Sequence, residues 1–353
     1  MTASLGWPET APAQTDDPPI QPGVSDTVEA VDTDAAPSQA QRRATRRWLP
    51  VPASLPSVVP QQPGPGVVVL PGPTDDIPLS HFAFGAYQRG LYQTAFQVAL
   101  RAADDGEPAA AALIGRLYEE ARSVGSDPER AAGWYALAAD QGDAGAQSRL
   151  GAMLLTGRGV PQNTELAADA FERAAAMGST DGAHSLALMI LKGEGRESEP
   201  ETAFRFMTQA AEGGDTKAQF ALATFYEEGY GTPPDDVAAT IWYARAADGG
   251  EPVAAFRYGV RLFNGIGTGV DEFAAAPQIA RGARAGIPEA MQQYARILAA
   301  GRGAAPDPVN AIKWHILARR AGLSDLYMDG FMGTRPEAIV QEAQAKAQAF
   351  VGG

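Results

Sequence analysis

The chain has 353 residues, 45% of them hydrophobic, enough to bury a sizeable core. It contains no cysteine, which excludes disulfide frameworks, thiolate metal sites and cysteine nucleophiles together. A formal net charge of −14 argues against a nucleic-acid binder, whose phosphate contacts need clustered Lys and Arg, and no apolar run of about 18 residues is present to span a bilayer.

In chain order, the first 80 residues stand apart. They hold 15 of the 27 prolines, and residues 1–40 contain seven acids with no Lys or Arg. Such a composition cannot bury enough apolar surface to offset chain entropy, so residues 1–80 are expected to be disordered, with PVPASLPSVVPQQPGPGVVVLPGP as a semi-extended linker. The opening MTASLGWPET has neither a basic nor an apolar leader region. Thr45-Arg46-Arg47-Trp48-Leu49 loosely resembles a twin-arginine export signal, but proline breaks the apolar stretch that should follow. With Arg42 and Arg43, it reads as a solvated basic patch. The remainder, 81–353, is still acidic, with 33 acids against 24 bases.

From there the chain repeats itself every 36 residues. Gly106, Gly142, Gly178, Gly214, Gly250, Gly286 and Gly322 follow at that step, each preceded by a small pair such as Ala138-Ala139 or its remnant. A Gly-x-Gly recurs on the same step: Gly157/Gly159, Gly193/Gly195, Gly229/Gly231, Gly265/Gly267 and Gly301/Gly303. A dinucleotide fingerprint needs a preceding strand and a P-loop needs Gly-Lys-Ser/Thr; neither is present. The glycines are therefore read as helix ends, where the left-handed conformation comes at no steric cost.

Each unit reads as two helices. In the second unit the first helix spans roughly Pro128 to Gln141, with Ala131, Trp134, Tyr135, Ala138 and Ala139 on one face. The second helix carries Ala146, Leu150, Gly151 and Leu154 and stops at Gly157. Two columns of large residues recur in the first helices: Trp134, Ala170, Phe206, Trp242, Gln278, Trp314, then Tyr135, Phe171, Met207, Tyr243, Ile279, His315. These are expected to pack between units. At the end, Thr334 three residues before Glu337 reads as a capping box for a closing helix that turns Ile339, Ala343 and Ala347 toward the last unit.

The pattern Ala-x-x-Trp-Tyr-x-x-Ala-Ala-x-x-Gly, then Ala-x-x-x-Leu-Gly, then Gly-x-Gly-Val, resembles Sel1-like repeats, relatives of the tetratricopeptide repeat, over about residues 86–322. The resemblance implies an all-α fold: an α-solenoid of about seven helix-turn-helix units in a right-handed superhelix, with domains 1–80 (tail), 81–333 (solenoid) and 334–353 (capping helix). The first unit is similar to that of alphaproteobacterial Sel1 proteins of the periplasmic exopolysaccharide-regulator type. That similarity implies an envelope-side regulator with a sensor kinase or other envelope protein as partner, the alternative being a cytoplasmic scaffold.

No catalytic constellation is found. His81, His184 and His315 fall in distant units and offer no shared metal site. Glu119-Glu120, Glu227-Glu228 and Asp235-Asp236 are sequence neighbours, pointing about 100° apart on a helix, so none makes a shared-proton dyad. The expectation is a monomeric, non-enzymatic scaffold without cofactor or metal. It is expected to bind a partner protein on a concave face through the varied first-helix positions Gly133, Leu137, Asp169, Arg205, Ile241 and Lys313. The alternative is an envelope hydrolase working through surface carboxylates.

Overall fold

A computed structural model describes residues 78–122 and 125–351. The expectation of disorder for 1–80 lies, up to residue 77, outside the described residues. Leu79 and Ser80, assigned above to the tail, instead open the first helix, because the Glu107 carboxylate accepts hydrogen bonds from their two amides at 3.1 and 2.9 Å.

Among the described residues there are sixteen helices and no strand. A short α1 (Leu79–Gln88) precedes seven pairs. Their first helices are α2 (Tyr92–Asp104), α4 (Pro128–Asp140), α6 (Thr164–Ala176), α8 (Pro200–Glu212), α10 (Asp236–Asp248), α12 (Glu272–Arg284) and α14 (Pro308–Arg320). Their second helices are α3 (Pro108–Glu119), α5 (Ala144–Thr156), α7 (Thr180–Lys192), α9 (Thr216–Glu228), α11 (Pro252–Asn264), α13 (Pro288–Ala300) and α15 (Leu326–Gly333), and α16 (Glu337–Val351) closes the array.

The starts and stops have local causes. Asp127, Asp143, Asn163, Ser179, Asp215, Asp235, Asp271 and Asp307 each accept a hydrogen bond from an amide in the first turn of the helix they precede. Proline at the first helical position, where no N–H is needed, begins α3, α4, α8, α11, α13 and α14. The two glycines of each Gly-x-Gly do different work. Gly157 closes α5 in the left-handed region, at φ 73°. Gly159, also left-handed, sits against the start of α4, where any Cβ would overlap the carbonyl of Pro128. The second glycine therefore lets the loop dock on the first helix of its own unit.

The most intimate packing lies between a second helix and the first helix of the following unit. The Leu-Gly pair explains it. A Cβ on Gly151 would stand 2.9 Å from the Phe171 ring, and one on Gly115 equally close to Tyr135, so the missing side chain is the seat for the next unit's ring. Trp134, Tyr135, Phe171, Trp242, Tyr243 and Trp314 are all buried, whereas Phe206 is half-buried. The core itself is mostly alanine, which keeps the helix axes close along the array.

Among helices two apart in the chain, the closer approaches are α1 with α3, α5 with α7 and α13 with α15, the last two pairs both second helices. The second helices of these units thus approach one another more closely than their first helices do. The partner-binding positions expected on a concave face all belong to first helices.

The capping box is also corrected. The closing helix starts at Glu337 rather than near Thr334, and the Thr334 hydroxyl donates backwards to the Phe331 carbonyl at 3.0 Å, ending α15 instead. Ala343 and Ala347 of α16 are buried, and its Phe350 ring packs edge-on against Trp314.

Candidate partner-binding surface

Two features on and between the first helices offer chemistry to a partner. The first is a column at the second position of the first helices: Glu129, Glu165, Glu201, then Val237, Phe273, Val309. Halfway along the array the outward residue changes from acid to hydrocarbon. Phe273 is 79% exposed and Val237 56%, with Ile241 one turn beyond Val237 at 49% and Val270 in the loop before α12 at 64%. Large apolar side chains left in water at matching positions of successive helices mark an interaction surface, since they gain nothing in the isolated chain. Pro277, one turn after Phe273 within α12, has no N–H to return to the Phe273 carbonyl. Asp235, Asp236, Asp271 and Glu272, at the starts of α10 and α12, give this ridge an acidic edge.

The second feature is a cleft of about 190 Å³ between α6 and α8, floored by α7. Leu186, Ile190 and Phe206 form its apolar surface, and Glu172, Arg196, Glu197, Glu199 and Arg205 surround it. Three units later the matching pair is Tyr294 and Trp314, whose rings meet at 6.1 Å; here the pair is the smaller Leu186 and Phe206. Arg196, from the Gly193–Glu199 loop, reaches Asp169 at 2.5 Å and Glu172 at 3.0 Å and so fixes the cleft's wall.

The partner-binding positions expected from the sequence are not brought together as one surface. Asp169 and Arg205 flank the cleft, the first through Arg196 and the second with its guanidinium 4.9 Å from the Phe206 ring centroid. Ile241 belongs to the ridge. Gly133 is buried and has no side chain to present, and Leu137 is half-buried against the core. Lys313 is covered, its ammonium 4.2 Å from the Trp314 ring centroid and 4.7 Å from that of Phe350; burial there lowers its pKa. Sequence reasoning missed Val237, Phe273, Leu186 and Arg196. The first two were visible as a break in a column of glutamates, whereas Arg196 bridges 27 residues and left no local trace.

Polar groups also enter the core. Arg261 is buried at a position occupied elsewhere by Leu117, Met153, Met189, Phe225 and Ile297. Its guanidinium donates to the Glu227 carboxylate at 2.8 Å, to Thr240 Oγ1 at 2.7 Å, to the Asp236 carbonyl at 3.0 Å and to the Asp236 carboxylate. Glu227 accepts in addition from the Tyr243 hydroxyl at 2.6 Å; burial, then that bond to a carboxylate, push the phenol up to about 12. Tyr135 and Glu119 repeat the arrangement three units earlier at 2.8 Å, and the Tyr135 phenol is raised for the same reasons. The buried Arg261, Tyr243 and Tyr135 hold units together, and their carboxylate partners are engaged by these bonds.

The histidines stay apart. His81 is exposed, His184 Nδ1 lies 2.9 Å from Asp215, and the buried His315 has Nε2 2.8 Å from Asp329. Among the described residues no group of three or more His, Asp or Glu side chains is placed to hold a metal ion. No helix among them is long and apolar enough to cross a membrane.

The Sel1 repeat profile matches residues 108–143, 144–179, 180–215, 216–251, 252–276 and 288–335, more than half of the chain. The chain belongs to the Sel1 repeat family. Each matched segment starts on a second helix, and the four between 108 and 251 end just after the following first helix, so the family's unit is the tightly packed pair of a second helix and the next first helix. That is half a repeat out of phase with the unit drawn from sequence. A Sel1 repeat protein from Oxalobacter formigenes is 30% identical, covering 69% of this chain and 99% of its own, with a TM-score of 0.59. The protective antigen c5321 from uropathogenic Escherichia coli, described as displaying the same fold, is 23% identical over 77% of this chain and 68% of its own, with a TM-score of 0.50. No curated protein matches the chain. Sel1 repeats in general mediate protein–protein interaction.

Proposed function

We propose that this chain is a non-enzymatic scaffold that binds a partner protein along the outward edge of its first helices. The observation that carries the reading is the change from Glu129, Glu165 and Glu201 to Val237, Phe273 and Val309 at one repeat position, with Phe273 and Val237 left largely exposed. The occupant that fits is an apolar segment of another protein bordered by basic side chains, which complement the helix-capping Asp235 and Asp271, Asp236 and Glu272 being paired with Arg261 and Arg302. An envelope-side regulatory role, with a sensor kinase or another envelope protein as the partner, rests on the resemblance of the first unit to periplasmic regulators.

The test uses the full chain and its Ile241→Glu/Phe273→Glu variant as cross-linked baits in extracts of the native organism. The reading expects one defined partner on the wild-type bait and its loss from the variant, with the melting temperature unchanged. Equal recovery on both baits removes the ridge as the binding surface. Recovery on neither, from envelope or cytoplasmic fractions, removes the scaffold reading itself.

A further inference from the structure

We infer that the cleft between α6, α7 and α8 receives the side chain of a single lysine or arginine presented by a partner protein. The site is separate from the exposed ridge, and it relies on the scaffold reading only for the source of the side chain. Its volume of about 190 Å³ falls below the range of roughly 300–1,000 Å³ usual for whole small-molecule ligands, and suits one long side chain.

The wall chemistry selects the kind of side chain. The half-buried Phe206, with Leu186 and Ile190 nearly covered beneath it, forms an apolar floor on which a methylene stem can lie, as Lys and Arg stems do wherever their charged heads remain polar-solvated. Three carboxylates line the cleft, Glu172, Glu197 and Glu199, with Asp169 behind Arg196, against the two guanidiniums of Arg196 and Arg205. Arg196 is already held by Asp169 and Glu172 and by the Gly195 carbonyl at 3.4 Å, so its charge is spent within the wall. Arg205 lies over the Phe206 ring. Glu199 accepts from the Thr202 hydroxyl at 2.9 Å and keeps acceptor capacity, and Glu197 is exposed at the mouth. The residual charge is negative, the floor apolar, and the volume that of one long side chain. A cationic head on a hydrocarbon stem satisfies all three.

The test follows the methyl resonances of Leu186 and Ile190 in the full chain, labelled at Ile and Leu methyls, during titration with three probes. These are Nα-acetyllysine amide, its uncharged analogue Nα-acetylnorleucine amide, and Nα-acetylglutamate amide. The inference expects shifts at both residues with the lysine probe alone. In Glu197→Gln/Glu199→Gln the apparent affinity should fall about tenfold, the loss of one charge-assisted contact. Leu186→Tyr, which copies Tyr294, should close the cleft and abolish the response. Equal shifts with norleucine, a response to the glutamate probe, or no response to any probe each overturn it. The ridge and the cleft fail separately: Ile241→Glu/Phe273→Glu leaves the lysine titration unchanged even if partner recovery is lost, and a silent titration with intact, ridge-dependent recovery removes the cleft alone.

Discussion

Arg261 tests whether the buried ion network contributes to stability or only occupies the place of an apolar side chain. The guanidinium is buried, while the Glu227 and Asp236 side chains that pair with it keep 31% and 63% exposure. Arg261→Ala leaves a cavity and an unpaired, partly buried Glu227, which should cost about 3–5 kcal/mol. Arg261→Met refills the space as Met153 and Met189 do in other units, leaving mainly the penalty of the orphaned Glu227 carboxylate, about 1–2 kcal/mol. Adding Glu227→Leu, which copies Leu155 and Leu191, removes that carboxylate but leaves the buried Tyr243 hydroxyl only Thr224 Oγ1 at 3.3 Å; the double variant should come within about 1–2 kcal/mol of wild type. Asp236, being well hydrated, needs no replacement. The four proteins of this double-mutant cycle are compared by urea denaturation, followed through the fluorescence of the nearby Trp242 because a repeat array need not unfold in one step. If Arg261→Met/Glu227→Leu still loses 3–5 kcal/mol, about the cost of the alanine variant, the network is a net source of stability and the reasoning is wrong.

Three further outcomes follow from the packing and the titrations. Gly151→Ala should cost about 1–2 kcal/mol despite alanine's better helix propensity, because the new methyl meets the Phe171 ring; adding Phe171→Met, the pairing found at Ala187 and Met207, should recover most of it by thermal melting. Trp242→Ala removes a buried indole in the middle of the array and should cost about 3–5 kcal/mol in the same assay. The raised Tyr243 phenol contributes stability that is complete below the unfolded tyrosine value near 10 and is lost as pH rises toward about 12; Tyr243→Phe should flatten that alkaline limb of a stability–pH curve.

The period of the array was legible because a left-handed helix cap leaves little choice but glycine, and such caps recur at a constant step. The phase was not. Which neighbours pack most closely depends on a ring entering the space that Gly151 or Gly115 leaves open, a contact between residues twenty apart that no local pattern states. Thr334 and Glu337 satisfied the spacing of a capping box, yet the α15 turn claimed Thr334 first. On the surface, the column through Asp169, Arg205, Ile241 and Lys313 mixed exposed and covered positions, because Phe350 from the closing helix arrives to shield Lys313. The neighbouring column was the better guide: three glutamates followed by Val237 and Phe273 break a pattern that the fold gives no reason to break. Arg261 was a similar outlier among apolar residues.

The most direct test of the interaction surface is site-specific photo-crosslinking in the native organism, comparing p-benzoylphenylalanine placed at Phe273 with the same group placed at Glu129. The two positions share a place in the repeat and differ in their surroundings. A single defined protein adduct from position 273, absent from 129 and competed away by wild-type chain, is the predicted result. Equal adducts from both positions, or none from 273, would contradict it.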